Sequence, residues 1–310
     1  MYFPYFRGRQ FELIAIRELV EKDLIGNKII PVIEPVKPTS TLVKTLNLYT
    51  KKNHMHALVL NPDVGSFATK LKEKKTENAC VVDDISKTLH SKYLIKAYLM
   101  NAQTGKLLSK EPDLNKLMII NQNHDCTDKF SEIYKDFEPL YTLIPEDRTF
   151  SRKVSKSKVL FVDRFSKAQR NSDYGKNKDE FFSNDHLFFQ EEGFQGFSDY
   201  SIVGADYNES GFAPFAVAIH IVYFDKDKAL RIHHFVSTSN SDINDPAGKF
   251  GEAIAELVIW LKKHPIQPTF GLKQFLECAN TGKFPGLGTL KKYSIMHHLE
   301  LINIYLEGQI

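Results

Sequence analysis

The sequence predicts an α/β fold, a (β/α)8 barrel of the TIM type with degenerate helices, followed by a β-hairpin and a C-terminal helical extension. Short apolar runs that end in a polar residue or a proline recur along the first two thirds of the chain. Several of the segments between these runs have the apolar spacing of amphipathic helices. Beyond residue 210 the alternation stops, and two neighbouring apolar runs are followed by helical patterns alone. Alternating strands and helices are typical of a parallel sheet that closes into a barrel.

The first 38 residues contain one complete strand, helix, strand unit. Residues 2–6 form a short apolar strand, and Gly8 ends it. Residues 10–24 carry a wide apolar stripe at helical spacing. The run of branched aliphatics at 29–33 then stops at Glu34, as expected of a strand that is buried on both faces and presents a polar residue at its C-terminal end.

Eight such runs are found up to Asp206. They lie at residues 3–6, 29–33, 56–60, 93–99, 117–120, 141–144, 158–162 and 200–204. Thr39 is placed to cap a helix after the second run, and Asp125 or Thr127 to cap one after the fifth. An open doubly wound sheet is the alternative architecture, but the chain lacks the Gly-x-Gly-x-x-Gly first turn of that fold.

The predicted domains are a barrel at 1–210 and an extension at 211–310 that packs on it. Residues 171–197 form an insert of charged residues and six phenylalanines before the eighth run. In the extension, the apolar runs 213–224 and 229–237 flank a polar turn and predict a hairpin. Helices are predicted from Asp245 onward, at 272–279 and at 291–306.

Composition and charge exclude several classes of protein. Hydrophobic content of 42% and charged content of 25% are ordinary for a globular chain. A net charge of +3 is too small to indicate a nucleic-acid partner. No apolar run approaches the roughly 18 residues of a membrane span, and no secretory signal begins the chain, so we expect a cytoplasmic protein without a membrane partner. Cys80, Cys126 and Cys278 lack the spacing of a disulfide framework or a zinc site.

Several stretches resemble the beta protein family of bacteria and their prophages. Residues 2–12 (YFPYFRGRQFE) and 30–35 (IPVIEP) resemble the opening of that family. Residues 214–220, 232–235 (IHHF) and 284–298 (FPGLG through HH) are similar to one of its branches. The resemblance implies a barrel-like fold. For some members it also implies a setting among phage-defence or toxin-neutralising genes beside a partner protein, but it implies no established reaction.

Polar residues at the C-terminal ends of parallel barrel strands surround one mouth. The candidates are Glu34, Asp63, Lys96, Asn121, Asp163, Arg164 and Asp206. Lys96 lies inside an apolar run, so if it points inward it must pair with a carboxylate or lose its proton. Glu34 and Asp163 are the expected partners. The set predicts either an acid/base or phosphate-binding site, or a group of buried ion pairs that holds the barrel.

In the catalytic interpretation, Glu34, Asp163 and Asp206 serve as acid/base groups or as ligands of a divalent metal. Lys96 and Arg164 stabilise negative charge on a phosphodiester or nucleotide. No other cofactor is indicated by the sequence.

Histidines give a second signal. His220 lies in the first hairpin run, and either His233 or His234 in the second could face it. Beside Asp206 or Asp199, His220 and His234 would make a metal site conceivable. Core histidines bonded to the backbone are the competing interpretation, because neither His220 nor His234 lies in a His-x-His or His-Glu-x-x-His spacing. His297 and His298 are adjacent on a predicted helix, so at most one can face a given point.

Two basic stretches are weaker signals. The loop at 283–292 places glycines and two lysines where a helix begins, which suits an anion or a structural turn, although the P-loop pattern is missing. Basic residues between Arg148 and Lys158 could contact a phosphate backbone, but Phe150 is the one aromatic residue among them, and such a stretch is more often a solvated face.

Three function classes follow from the residues and from the family resemblance, and the resemblance is what implies the first of them. The first is a defence-associated component that acts with a second protein. The second is a barrel enzyme that hydrolyses a phosphodiester or nucleotide at the barrel mouth. The third is a protein that binds and silences a toxin. A buried polar cluster with an open mouth favours the enzyme, and a filled mouth favours the other two.

Overall fold

The computed structural model describes residues 1–71, 79–208 and 214–310, and within them an eight-stranded parallel sheet forms a nearly closed barrel. Its strands, in their spatial order, are β1 (Tyr5–Phe6), β2 (Val32–Ile33), β3 (His56–Val59), β4 (Leu94–Leu99), β5 (Met118–Ile120), β6 (Tyr141–Ile144), β7 (Lys158–Phe161) and β9 (Gly196–Ser198). Backbone hydrogen bonds join the last strand to the first: Phe3 N–H donates to the Phe197 carbonyl at 2.8 Å, and Phe197 N–H to that of Met1 at 3.0 Å. The predicted TIM-like barrel is confirmed.

Helices of unequal length connect these strands. They are α1 (Gln10–Glu21), α2 (Ser40–Lys51), α3 (Phe67–Lys70), α4 (Ala79–Thr88), α5 (Thr104–Leu108), α6 (Thr127–Ile133), α7 (Arg148–Lys153) and α8 (Asp185–Phe188). The predicted cap at Thr39 is present, since its hydroxyl oxygen accepts from Leu42 N–H at 3.2 Å. Several of the later helices have only one or two turns, which is the degeneracy that the broken apolar patterns predicted.

The eighth strand was misplaced by the sequence interpretation. We expected it at 200–204, but residues 201–203 form a turn, with Ser201 at φ 52° and Gly204 at φ 77°. The strand lies earlier, at the end of the phenylalanine-rich insert, where the Phe197 ring stacks on Tyr2 with centroids 4.8 Å apart. An apolar run does not mark the true strand, because Phe197 is the one large apolar side chain in Gly196–Ser198.

The chain divides into two compact units. The first, the barrel unit, contains Met1–Val162 and Asp185–Tyr200; the second contains Asp163–Asn184 and Ser201–Ile310. This division differs from the predicted boundary at residue 210. The reason is that part of the insert, strand β8 (Asp179–Ser183), pairs with the predicted hairpin.

The second unit is built on a three-stranded antiparallel sheet. Its order is β10 (Ala218–Phe224), β11 (Leu230–Val236), β8, so β8 forms one edge. Helices α9 (Pro246–Lys263), α10 (Phe270–Thr281) and α11 (Leu287–Leu306) follow. Apolar side chains of β10, β11 and these helices share one core, with Ile221, Leu257 and Phe275 fully buried. Of the helices in the described ranges, not one combines the length and apolar character that crossing a bilayer requires.

Candidate functional site

Three polar residues follow the first three barrel strands and meet at one end of the sheet. They are Arg7 after β1, Glu34 after β2 and Asp63 in the loop after β3. Glu34 is 0% exposed, and both of its carboxylate oxygens accept hydrogen bonds. Oε2 accepts from the Tyr5 hydroxyl at 2.7 Å and from the Arg7 guanidinium, and Oε1 accepts from Asp63 N–H at 2.9 Å.

Aromatic rings surround this ion pair. The rings of Tyr5, Phe161 and Tyr200 lie 5.0 to 5.2 Å from one another, and all three residues are buried. The Arg7 guanidinium lies over Tyr200 at 5.4 Å and over Tyr5 at 5.7 Å, a distance at which the ring faces attract a cation. Burial, and then the charge of Glu34, raises the pKa of Tyr5 well above its usual value, so its hydroxyl remains a donor. The arrangement is an ion pair whose carboxylate is sealed and has a donor at each oxygen, while the buried Arg7 Nε has no hydrogen-bond partner among the described residues.

An open groove of about 430 Å³ lies beside the sealed pair. Asn61, Asp63, Asn101 and Gln103 provide its polar lining. Asn61 is fixed by Leu99, whose backbone N–H and carbonyl each bond to the amide at 2.9 Å. Burial, and then the negative charge of Glu34, raises the pKa of Asp63. Among the described residues that line this groove, Asp63 is the carboxylate available to a ligand.

Lys96 has a different partner from the two that the sequence suggested. Its ammonium lies 2.8 Å from Glu111, which also accepts from the Tyr98 hydroxyl at 2.5 Å. Lys96 and Tyr98 are two residues apart on β4 and therefore share one face of the strand. The expected pairing with Glu34 or Asp163 is wrong. The face of β4 that carries Lys96 contacts the connection after α5, and Glu111 lies in that connection.

The remaining mouth candidates are distributed over both units. In the barrel unit, Asn121 is buried, and its side-chain amide has no hydrogen-bond partner among the described residues. In the second unit, Asp163 accepts from Phe165 N–H at 3.1 Å and from Ala205 N–H at 2.7 Å, which holds two loop segments together.

Asp206 and Arg164 also belong to the second unit. Asp206 is 79% exposed and lies 3.6 Å from Lys167, and Arg164 is half-buried. Glu34 and Asp63 are the two of the seven mouth candidates that a described hydrogen bond joins directly.

The two hairpin histidines face each other as predicted. His220 and His234 are register partners on β10 and β11, and their Nδ1 atoms are 2.7 Å apart. Neither predicted aspartate completes a metal site: Asp206 pairs with Lys167, and Asp199 accepts from the Tyr2 hydroxyl at 2.6 Å. Across the described ranges, no group of three or more His, Cys, Asp or Glu side chains is arranged to hold a metal ion.

His297 and His298 both serve packing in the second unit. Nε2–H of His297 donates to the Val222 carbonyl at 2.6 Å, so Nδ1 accepts from the Thr269 hydroxyl at 2.6 Å. His298 Nδ1 bonds to the Ser201 hydroxyl at 2.8 Å. These contacts match the interpretation of buried, hydrogen-bonded core histidines.

His297 makes stability depend on pH. Burial lowers its pKa from 6.5 to about 4, so between these values the unfolded chain binds the proton better. Its contribution is complete above pH 6.5 and is lost as the pH falls towards 4, with a slope of at most about 1.4 kcal/mol per pH unit. We expect urea unfolding across this window to show a shallower pH slope in His297→Gln. An unchanged slope would contradict this assignment.

Sequence reasoning missed Arg7 and the cluster around Asp179. The Asp179 carboxylate accepts from Arg231 Nε at 2.7 Å, from the Tyr223 hydroxyl at 2.7 Å and from His233 Nδ1 at 2.9 Å. Arg7 could have been found, because it follows a predicted strand just as Glu34 does. Asp179 gave no such signal, since its partners come from two other strands.

Searches with models of protein families, among curated proteins and among solved structures gave no match for this chain. The resemblance to the beta protein family therefore remains a prediction.

Proposed function

We propose that this chain is a cytoplasmic, defence-associated barrel protein that acts through a second protein, and that the centre of its barrel mouth is structural. The observation that carries the proposal is the sealing of Glu34. Its carboxylate is 0% exposed and has three hydrogen-bond donors, one of them the Arg7 guanidinium. A general acid or base must be able to reach a substrate proton, and this carboxylate has neither access nor a free oxygen.

The phenylalanine-rich insert, residues 171–197, supports the inference that this chain binds a second protein. Four of its six phenylalanines are buried, whereas Phe181 and Phe188 are 53% and 44% exposed. Phe181 lies on β8, at the edge of the three-stranded sheet. Exposed aromatic side chains and unpaired strand edges are features that protein partners use. The link to phage defence comes from the sequence resemblance.

Substitution of the exposed phenylalanines tests this function. We expect Phe181→Ser and Phe188→Ser to fold normally, to reduce co-purification with the protein encoded beside this gene about tenfold or more, and to reduce protection against phage in parallel. Phe137→Ser is the matched control, because Phe137 is 51% exposed but lies outside the insert. Phe181 belongs to the second unit and Phe188 to the barrel unit, so each variant is tested by itself. Equal loss in the control would contradict a specific role of either phenylalanine.

An enzyme at the barrel mouth is the second candidate, and the groove with Asp63 favours it. A phosphodiester or nucleotide hydrolase working there would depend on Asp63, which lines the groove, and not on Glu34 or Lys96, which do not. Loss of protection in a folded Asp63→Asn variant that still binds its partner would replace our proposal with this one. If the partner is toxic alone and silenced by co-expression, the protein acts as an antitoxin.

A further inference from the structure

The groove beside Asp63 has no role in the proposed function. It lies within the barrel unit and has a volume of about 430 Å³. Its lining residues 60–63 follow β3, residues 101–103 follow β4, Ala68 lies on α3 and Leu107 lies on α5. Ligand sites typically measure about 300 to 1,000 Å³, and in barrels they lie at the C-terminal ends of the strands. The volume and the position of the groove therefore suit one small molecule.

The amide side chains of the groove have their oxygens engaged by the protein. Asn61 Oδ1 accepts from Leu99 N–H, and Asn61 Nδ2 donates to the Leu99 carbonyl, both at 2.9 Å. Asn101 Oδ1 accepts from Gln103 N–H at 3.0 Å and from the Thr104 hydroxyl at 2.9 Å. Mg²⁺ and Ca²⁺ need such oxygens as ligands, so these bonds oppose a metal ion. Each amide nitrogen carries two hydrogens, which suit ligand oxygens that accept, such as those of hydroxyl groups.

Asp63 gives the groove a negative charge. An ionised carboxylate has about four acceptor positions, and the Asn101 side chain donates to one of them. No lysine or arginine is present among the described residues that line the groove. The ammonium of Lys129, which lies outside the lining, donates to a backbone carbonyl of the rim at 2.5 Å. The nearby charge of Glu34 is balanced by Arg7, so the carboxylate of Asp63 favours a ligand with positive charge.

We propose that this groove binds a small amine that carries several hydroxyl groups, such as a hexosamine. The ligand ammonium pairs with the Asp63 carboxylate through charge-assisted hydrogen bonds. Ligand hydroxyl oxygens accept from the side-chain amides of Asn61 and Asn101, and the C–H face of the sugar packs on Leu60 and Leu107. The site uses neither the phenylalanine-rich insert nor the partner protein, so its test does not depend on the proposed function.

Calorimetric titration of the full chain tests the site. Glucosamine and galactosamine are the probes; glucose lacks the ammonium group, and propylamine lacks the hydroxyl groups. We expect at least one probe to bind about fivefold or more tightly than either comparison compound, since an ion pair at a partly exposed carboxylate is worth up to about that factor.

Three results of the titration would overturn the proposal. Equal affinity for propylamine would indicate an adventitious cation only, and equal affinity for glucose would leave Asp63 without a role. The third is the absence of binding by both probes. If AMP bound instead of the probes, the hydrolase would be the better explanation of the groove.

Two carboxylates of the barrel unit provide a matched pair of variants. Asp63 lines the groove, whereas Asp125, which is also exposed, does not. Asp63→Asn should weaken the bound probe about fivefold, and it should fold normally because Glu34 is bonded by the backbone N–H of this residue. Asp125→Asn should leave the affinity nearly unchanged. Equal losses would show general electrostatic attraction and exclude a specific site.

NMR of the side-chain amides gives a readout that does not depend on substitution. The NH₂ signals of Asn61 and Asn101 should move as the probe is added. The buried amide of Asn121, which belongs to the same unit but does not line the groove, is the control and should not move. Unmoved signals of Asn61 and Asn101 in the presence of bound probe would place the ligand elsewhere and overturn the proposal.

Discussion

Arg7→Met is expected to destabilise the protein by about 3 to 5 kcal/mol, which is the usual cost of leaving one member of a buried ion pair without its partner. The side chain of Arg7 is 16% exposed and that of Glu34 is 0% exposed, so water cannot replace the guanidinium efficiently. The hydrogen bonds from Tyr5 and from Asp63 N–H remain, but neither donor carries a compensating charge. Natural domains are stable by only about 5 to 15 kcal/mol, so this loss should be visible in any urea or thermal unfolding curve.

An exposed ion pair serves as the control for Arg7→Met. Lys52 lies 2.8 Å from Asp23, but their side chains are 32% and 77% exposed, so we expect Lys52→Met to cost no more than about 1 kcal/mol. The double variant Arg7→Met, Glu34→Leu should recover much of the loss, because it removes the uncompensated charge. If Arg7→Met changes the free energy of unfolding only slightly and the double variant recovers nothing, the Arg7–Glu34 pair does not stabilise the barrel mouth.

Gly196→Ala is expected to weaken the closure of the barrel. A Cβ at this position would lie 2.5 Å from the Met1 carbonyl oxygen and 2.7 Å from the Phe3 ring. The same carbonyl accepts the hydrogen bond from Phe197 N–H that joins the last strand to the chain before the first. The added methyl must therefore push the two strands apart, at a cost of about 1 to 3 kcal/mol for overpacking.

Two measurements distinguish a closure defect from general destabilisation. Urea unfolding gives the total loss, and hydrogen exchange should show that the Phe3 and Phe197 amides, which bond across the closure, lose protection first. Gly251→Ala is the control: it lies on α9, a Cβ there would meet nothing within 4 Å, and the change should stabilise by about 0.5 to 1 kcal/mol. Unaltered protection of both amides in Gly196→Ala would contradict our explanation.

The sequence located most of the barrel before any tertiary information. The predicted runs at 141–144 and 93–99 coincide with β6 and β4 to within one residue. Alternation around His220 predicted that His233 or His234 faces it across the hairpin, and the register shows that His234 does. These successes share one cause: apolar period, caps and turns are local properties that neighbouring residues encode.

Only the tertiary structure decided which polar side chains meet. The sequence identified Glu34 as a strand-end carboxylate, but its pairing with Arg7 depends on how β1 and β2 align. Lys96 pairs with Glu111 because of the face of β4 on which it lies. The eighth strand at Gly196–Ser198 was likewise settled by the approach of Met1 and Tyr2 to its backbone. Such contacts join segments far apart in the chain, and their geometry follows from closure of the sheet and side-chain direction, which local periodicity does not specify.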